Sequence, residues 1–385
     1  MNDTYLSKKK SVVFLFINGP HHVYHLIYPA LKFVKLNNSY EVKIISGNPW
    51  NTKIINQASS EMGVSDFKLI DIPLPLRYKI KNYKSKLYPP VYSRIKSVVN
   101  HLSDASAIIS TSHELPVYLN EHKINDPILF YLYHGTGTRA YGFEKKLDGY
   151  DYIFVPGNYH LNRLLNESCI SKEKMILTGM PKLDWLKTKL DIKRFLFKNN
   201  NPTFYYNPHW DMKFSSYLKW KNHILNLFTE RQELNLIFSP HPLVKHMSKR
   251  EGYTIEEGKK YTENIIVDYG SDYCMDGTYN FASDVYIGDV SSMVTEFIIY
   301  KPRPCLFINA NDIDWVGNDD YHFWKMGIVV NDANDLPKHI FQSLESNHHK
   351  EKQLKMKNDF VHQSSIDSSK ICAKSIQNIL RETNT

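Results

Sequence analysis

The sequence predicts an α/β protein of two Rossmann-like domains, each a parallel sheet with helices on both faces, followed by C-terminal helices. Three observations carry this. The chain has 385 residues, too many for one ordinary core and suited to two domains of roughly 150–200 residues. Hydrophobic residues make up 42% and charged residues 23%, so cores can be buried and the chain is not disordered overall. Short, continuous apolar runs alternate with longer helix-like stretches, the pattern of strands buried on both faces of a parallel sheet.

In chain order, the strand candidates of the first series are VVFLFI (12–17), EVKIIS (41–46), FKLIDI (67–72), AIIST (107–111), ILFYLY (128–133), YIFV (152–155) and MILT (175–178). The second series is PTFYYN (202–207), LNLIFS (234–239), NIIVD (264–268), DVYIG (284–288), RPCLFI (303–308) and GIVV (327–330). Between them, Lys198-Asn199-Asn200-Asn201-Pro202 is polar and helix-terminating, which suits a linker. The expected limits are 1–198 for an acceptor-side domain, 199–350 for a nucleotide-donor domain and 351–385 for a tail of one or two charged helices.

The formal charge is +8, from 48 Lys+Arg against 40 Asp+Glu, which favours anionic partners without choosing among them. Residues 77–96 hold seven Lys/Arg, four Tyr and no acid, which suits an anionic membrane surface, a pyrophosphate-linked acceptor or a solvated basic helix. No nucleic-acid module accompanies the patch, so nucleic acid is not expected as a partner. The four cysteines form no CxxC pair, against a zinc ribbon or a disulfide framework, and a reducing cytoplasm is the expectation. The apolar run Val12–Ile17 is too short to span a bilayer and ends in Asn18-Gly19-Pro20. A cytoplasmic protein, soluble or peripheral at the inner face of the plasma membrane, is expected.

In open α/β sheets ligands bind beyond the carboxyl ends of the strands, so the residues there are the candidates. After the first strand, His21 and His25 lie four apart at a helix start. That is the spacing of HExxH, but position 22 is His rather than Glu, so no general base is offered. An acceptor contact, metal binding and a structural role are all open to this pair. The strand ILFYLY delivers His134-Gly135-Thr136-Gly137-Thr138-Arg139, where small residues let the backbone approach a ligand and the imidazole projects beside it. Gly179-Met180-Pro181-Lys182-Leu183-Asp184 reads as a strand-to-helix turn, with Lys182 a candidate cleft residue. In the second series, Asn207-Pro208-His209-Trp210 and Pro240-His241-Pro242 follow successive strands, and the prolines deny His241 a helical setting. Asp289-Val290-Ser291-Ser292 opens a helix, where hydroxyls and free N–H groups form an anion nest or simply a cap. Glu296, one turn on, is a candidate contact for a ribose hydroxyl.

The order of HGT (134–136), GMPKLD (179–184), NPHW (207–210), SPHP (239–242), DVSSMVTEF (289–297) and KPRPCLFIN (301–309) resembles the CDP-glycerol glycerophosphotransferase family of teichoic-acid and capsule enzymes, over roughly residues 128–310. The resemblance implies a GT-B-like fold, with two Rossmann-like domains facing a central cleft. It puts the family's two histidines on His134 and His241, flanking the reacting pyrophosphate. It puts the donor phosphate on Ser291 and Ser292, with Asp289 ahead of them; Gly135, Thr136, Arg139 and Glu296 are further candidates for donor contacts. His21, His25, Lys182, Asn207 and His209 are acceptor or cleft candidates. Three positions depart from the family pattern: Gly137 and Arg139 stand where Pro and Lys are usual, and His209 where Thr is usual.

The implied reaction is transfer of glycerol phosphate from CDP-glycerol to a hydroxyl of a glycan or undecaprenyl-linked glycan, with release of CMP, in cell-surface polysaccharide or teichoic-acid-like synthesis. The long N-terminal extension of the polymerising members is missing, so a single addition or a side-branch modification is expected. No tightly held cofactor or protein metal site is expected, and Mg2+ brought with the donor stays open. The alternative is a GT-B glycosyltransferase that uses a nucleotide sugar for surface polysaccharide synthesis. An epimerase on the same architecture and a silent glycan-binding subunit stand behind it.

Overall fold

The computed structural model describes residues 10–73, 76, 91–138, 140–187, 196–245, 252–256, 258–259, 261–364 and 366–383. The chain forms two compact units: Met1–Gly135, Phe143–Trp185 and His362–Thr385 make the first, and Thr136–Gly142 and Leu186–Val361 the second.

The first unit holds a seven-stranded sheet of β1 (Ser11–Phe16), β2 (Glu41–Ser46), β3 (Lys68–Asp71), β4 (Ala105–Ser110), β5 (Ile128–Leu132), β6 (Tyr152–Val155) and β7 (Met175–Leu177), in the order β3-β2-β1-β4-β5-β6-β7. Every pairing is parallel. Val13, Leu15, Ile45, Ile108, Tyr131 and Ile153 fill one core, and their alternation along each strand shows the period of two expected of side chains on one sheet face. The chain runs outward from β1 to β3, then returns to the other side of β1 with β4. The order therefore reverses between β1 and β4, the position at which open α/β sheets splay their loops apart.

The second unit repeats the plan with six strands: β8 (Thr203–Asn207), β9 (Asn235–Phe238), β10 (Ile265–Val267), β11 (Val285–Gly288), β12 (Cys305–Ile308) and β13 (Ile328–Val330), ordered β10-β9-β8-β11-β12-β13. These too pair in parallel. Phe204, Tyr206, Leu236, Phe238, Ile287 and Leu306 form its core. The reversal falls between β8 and β11. Arg303 is buried behind this sheet, donating to the carbonyls of Asn280 (2.7 Å), Ser283 (2.6 Å) and Phe297 (2.6 Å). That explains the arginine of KPRP as a structural tie.

All thirteen strand candidates are strands, with ends moved by a residue or two. The unit limits differ from the expected ones. The polar run at 198–202 does not separate the units. Asn199 Oδ1 accepts from Asn235 Nδ2 (2.7 Å) and Asn201 Nδ2 donates to Gln232 O (3.1 Å), which ties the run into the second unit. Leu186 already belongs to that unit, where it lies against Gly277. The tail from 351 is not a separate body either. The helix Lys350–Phe360 stays with the second unit, where Gln353 Nε2 donates to Arg303 O (2.8 Å) and Met326 O (2.7 Å). The helix Ser368–Glu382 returns to the first unit and packs on the helix Pro20–Leu36. Gln377 Nε2 donates there to Leu36 O (2.8 Å), and Tyr40 OH donates to Leu380 O (3.1 Å).

Among the described residues no helix is long and apolar enough to cross a membrane. Of the basic stretch 77–96, residues 77–90 lie outside the described residues. Arg94 within it is 4% exposed and donates to Asn18 O (3.4 Å), so this cation is turned inward and not offered to a lipid surface.

Candidate active site

In the first unit the loops at the β1/β4 reversal carry a cluster of imidazoles. The turn after β1 ends in the helix Pro20–Leu36, with Pro at its first position, where the missing N–H costs nothing. Asn51 Nδ2 holds that turn by donating to Phe16 O (2.9 Å) and Asn18 O (3.0 Å). This places His21 and His22 in the first helical turn. The loop after β4 brings Thr111 and His113, and the end of β5 brings His134. The rings of His22 and His134 stack with centroids 3.9 Å apart. His113 lies 5.8 Å and His21 6.4 Å from His134 by the same measure.

Burial and mutual repulsion lower His134, His22 and His25. Desolvation, then the nearby His113, pushes His134 down to about 3, with Glu114 pulling weakly the other way. Burial first, then His134, holds His22 well below the ordinary range. His25 is likewise lowered by burial, then by the Lys182 ammonium. His134 Nδ1 is buried and has no hydrogen-bond partner among the described residues, so a substrate meets this ring through Nε2. Gly135 follows with φ +145°, in the region that favours glycine, and a Cβ there would meet no other atom within 4 Å. Space beside the imidazole is therefore kept open.

GMPKLD has a different task from the chemistry. Gly179 has φ +81°, and a Cβ on it would collide with Ser368 Oγ and crowd His362 O (3.0 Å). Asp184 Oδ2 accepts from Ser369 N (2.7 Å) and Ser369 Oγ (2.6 Å), an N-terminal cap supplied from 185 residues away. The turn is a socket for the returning C-terminal helix. Lys182 is buried behind it, 2% exposed, beside His25 and not out in a cleft.

In the second unit, the loops at the β8/β11 reversal bring together His209, His241, Asp289, Ser291 and Asn207. His209 Nδ1 accepts from Asp211 N (3.0 Å), and His241 Nδ1 accepts from Leu243 N (3.2 Å). A backbone N–H can only donate, so Nδ1 carries no hydrogen in either ring and the hydrogen sits on Nε2. His241 therefore presents an N–H donor. Asp289 is 1% exposed; one oxygen receives His209 N (2.8 Å) and Ser216 N (2.9 Å), while Oδ1 has no partner among the described residues. Burial raises its carboxyl to about 7, and the hydrogen bonds from Ser216 and His209 oppose that. Its part is to hold the 208–216 loop.

Ser291 Oγ receives Met293 N (3.2 Å) and donates to Asn207 Oδ1 (3.4 Å), while Ser292 is exposed at the start of the helix Met293–Tyr300. Asn207 Nδ2 donates to Ser239 O (2.7 Å). Two expected donor contacts point elsewhere. Thr136 is fully buried and donates to Thr295 Oγ1 (2.6 Å), which itself donates to Ser292 O (2.6 Å), so its hydroxyl anchors the 136–142 segment. Glu296 is 5% exposed and its Oε2 accepts from Asn280 Nδ2 (3.3 Å), which directs the carboxylate to the helix Thr278–Ala282. Arg139 lies outside the described residues. Among the described residues no group of three His, Cys, Asp or Glu side chains is placed to hold a metal ion.

Sequence reasoning missed His22, His113, Thr111 and Asn18. His22 was set aside for lacking a carboxylate, although its ring is the one against His134. Thr111 and His113 stand just after β4, where the strand-end rule points.

A family model described as CDP-Glycerol:Poly(glycerophosphate) glycerophosphotransferase matches residues 79–377, most of the chain. The chain belongs to this family. It is an enzyme of the glycerophosphotransferase class. Among solved structures it is similar to the wall teichoic acid polymerase TagF, at 16% identity and TM-score 0.66, covering 98% of this chain and 90% of that one. A variant of TagF soaked with CDPG for 15 minutes matches at 19% identity and TM-score 0.66, covering 98% and 91%. UDP-GlcNAc 2-epimerase from Neisseria meningitidis, bound to UDP-GlcNAc, matches at 15% identity and TM-score 0.61, covering 97% and 100%. At these identities the likeness is one of fold, and it makes the two parallel α/β units GT-B-like. Among curated proteins no sequence matches the chain.

Proposed function

We propose that the enzyme transfers glycerol phosphate from CDP-glycerol to a hydroxyl of a glycan or lipid-linked glycan, with release of CMP. The family model over residues 79–377 supports the donor, and a TagF variant soaked with CDPG is consistent with it. The observation that supports the chemistry is His134. Its imidazole is uncharged, Nδ1 is buried, and Nε2 is left to accept a proton.

The acceptor oxygen attacks the distal phosphorus in line. A new P–O bond forms as the bond to the bridging oxygen breaks, and CMP leaves with that electron pair. The acceptor proton goes to His134 Nε2. Such a transfer needs positioning and charge neutralisation more than covalent chemistry. On the leaving side, His241 Nε2–H, the exposed Ser292 hydroxyl and the Ser291 turn hold the diphosphate at the start of the helix Met293–Tyr300, whose free N–H groups carry partial positive charge. An imidazole at about 3 is a weak base. Arrival of the anionic donor raises it toward the working pH, so the base strengthens only when substrate is bound. The scheme assigns no tightly bound cofactor, and Mg2+ accompanying the donor diphosphate is compatible with it.

A positioned general base contributes about 10²–10⁴-fold, so His134→Ala lowers turnover by that order with an unchanged melting curve. Turnover near that of the unsubstituted enzyme would remove the base from the scheme.

A further inference from the structure

A reacting imidazole ordinarily has its second nitrogen held by a carboxylate or carbonyl, which fixes the ring plane and tautomer. His134 has no such partner: Nδ1 is buried and unbonded among the described residues. Its plane is set by another imidazole instead. The His22 ring lies 3.9 Å away, centroid to centroid, with 25° between the planes. His22 is itself tied down. Its Nδ1 is 3.0 Å from Thr111 Oγ1 and 3.3 Å from Asn18 Nδ2, and Asn18 Nδ2 also donates to Thr111 Oγ1 (3.2 Å). Asn18 and Thr111 follow β1 and β4, the two strands at the reversal, so the support comes from two adjacent strand ends. An amide N–H donates, so His22 Nδ1 is the acceptor and the ring faces His134 as a neutral π-surface.

We infer that His22 is the positioning residue of His134: its anchored ring holds the plane of the His134 imidazole and backs the imidazolium that forms when His134 takes the acceptor proton. This rests on His134 being the base. A flat neutral ring against a forming cation is a favourable electrostatic arrangement, strongest where water is excluded. The other ionisable groups about the pair are His21 and His113, with His25, Lys182 and Glu114 beyond them. His21, His25 and His113 each oppose a charge on His22, so His22 stays neutral while His134 cycles.

The test measures CMP release from CDP-glycerol, with a synthetic undecaprenyl-linked disaccharide as acceptor, for His22→Ala, His22→Phe and His134→Ala in the full chain. A misplaced reacting group costs on the order of 10–100-fold, so His22→Ala lowers kcat by about that factor, with KM for CDP-glycerol changed less than about twofold. His22→Phe restores the flat ring without Nδ1 and recovers kcat to within roughly threefold. The pH profile adds a readout that loss of fold alone would not move. Burial is the largest cause that lowers His134, so opening the space beside it outweighs the lost ring contact, and the acid limb of kcat/KM moves to higher pH in His22→Ala and stays in place in His22→Phe. If Phe is no better than Ala, or if His22→Ala is fully active while His134→Ala is not, the positioning role is overturned and the base stands. If His134→Ala itself keeps its turnover, the base reading falls and takes this inference with it.

Discussion

Replacing Asp184 by Ala removes the cap that fastens the helix Ser368–Glu382 to the first unit. Asp184 is 8% exposed, and one carboxylate oxygen receives both Ser369 N and Ser369 Oγ. Hydrogen bonds to a charged group contribute about 1.5–3 kcal/mol each. The two share an oxygen and a residue, so their joint loss is nearer ~3 kcal/mol than the sum. The first unit has roughly 200 residues, for which 1 kcal/mol moves Tm by about 2–4 °C. Asp184→Ala should therefore melt about 6–12 °C lower in scanning calorimetry, with hydrogen exchange accelerated across 368–382. At 20 °C its turnover stays within about threefold, because nothing at the imidazole cluster is touched. A Tm within 1 °C of the unsubstituted enzyme with turnover lost would refute the reasoning and make Asp184 part of the chemistry.

Two further perturbations follow from the same geometry. Gly179→Ala forces φ +81° on a residue with a Cβ and pushes that Cβ into Ser368, so denaturant midpoints should show a loss of at least ~2 kcal/mol, and parity with glycine would contradict the socket. Asp289→Asn tests the buried carboxyl by pH. Its folded value of about 7 exceeds the ordinary 3.8, so between about pH 4 and 7 the folded chain keeps a proton that the unfolded chain has released. Stability therefore falls as pH rises through that window, by an amount on the order of 4 kcal/mol in full. Asn can still receive His209 N and Ser216 N through Oδ1, so the variant should gain about 2–4 kcal/mol at pH 8 and lose the slope. Equal destabilisation at pH 5 and pH 8 would contradict this.

The sheets were legible because parallel strands buried on both faces are continuous apolar runs, and YIFV (152–155) or VVFLFI (12–17) resembles little else. The rule that ligands meet strand ends also led to His134, His209 and His241. It ranks positions but not directions. Thr136 follows His134 in the same motif, yet its hydroxyl turns to Thr295, 159 residues on. Asp184 reads locally as part of a strand-to-helix turn, and only the returned helix shows what it caps. The unit limits were missed for a related reason. An asparagine run is polar whether it links two bodies or, as here, knits β8 to β9. His22 was passed over because a sequence motif assigns chemistry by residue type, while its part depends on a ring stacked from a different loop.

The central claim is that CDP-glycerol is the donor, and a thermal-shift panel tests it most directly. CDP-glycerol, CDP-ribitol, CDP, CMP, UDP-GlcNAc and CMP-sugars would each be added to the full chain. A ligand at 100 times its Kd adds about 2.7 kcal/mol of apparent stability, enough to resolve. The account predicts stabilisation by cytidine nucleotides, largest with CDP-glycerol. Stabilisation by UDP-GlcNAc with no response to any cytidine nucleotide would contradict it and turn the assignment to a nucleotide-sugar enzyme.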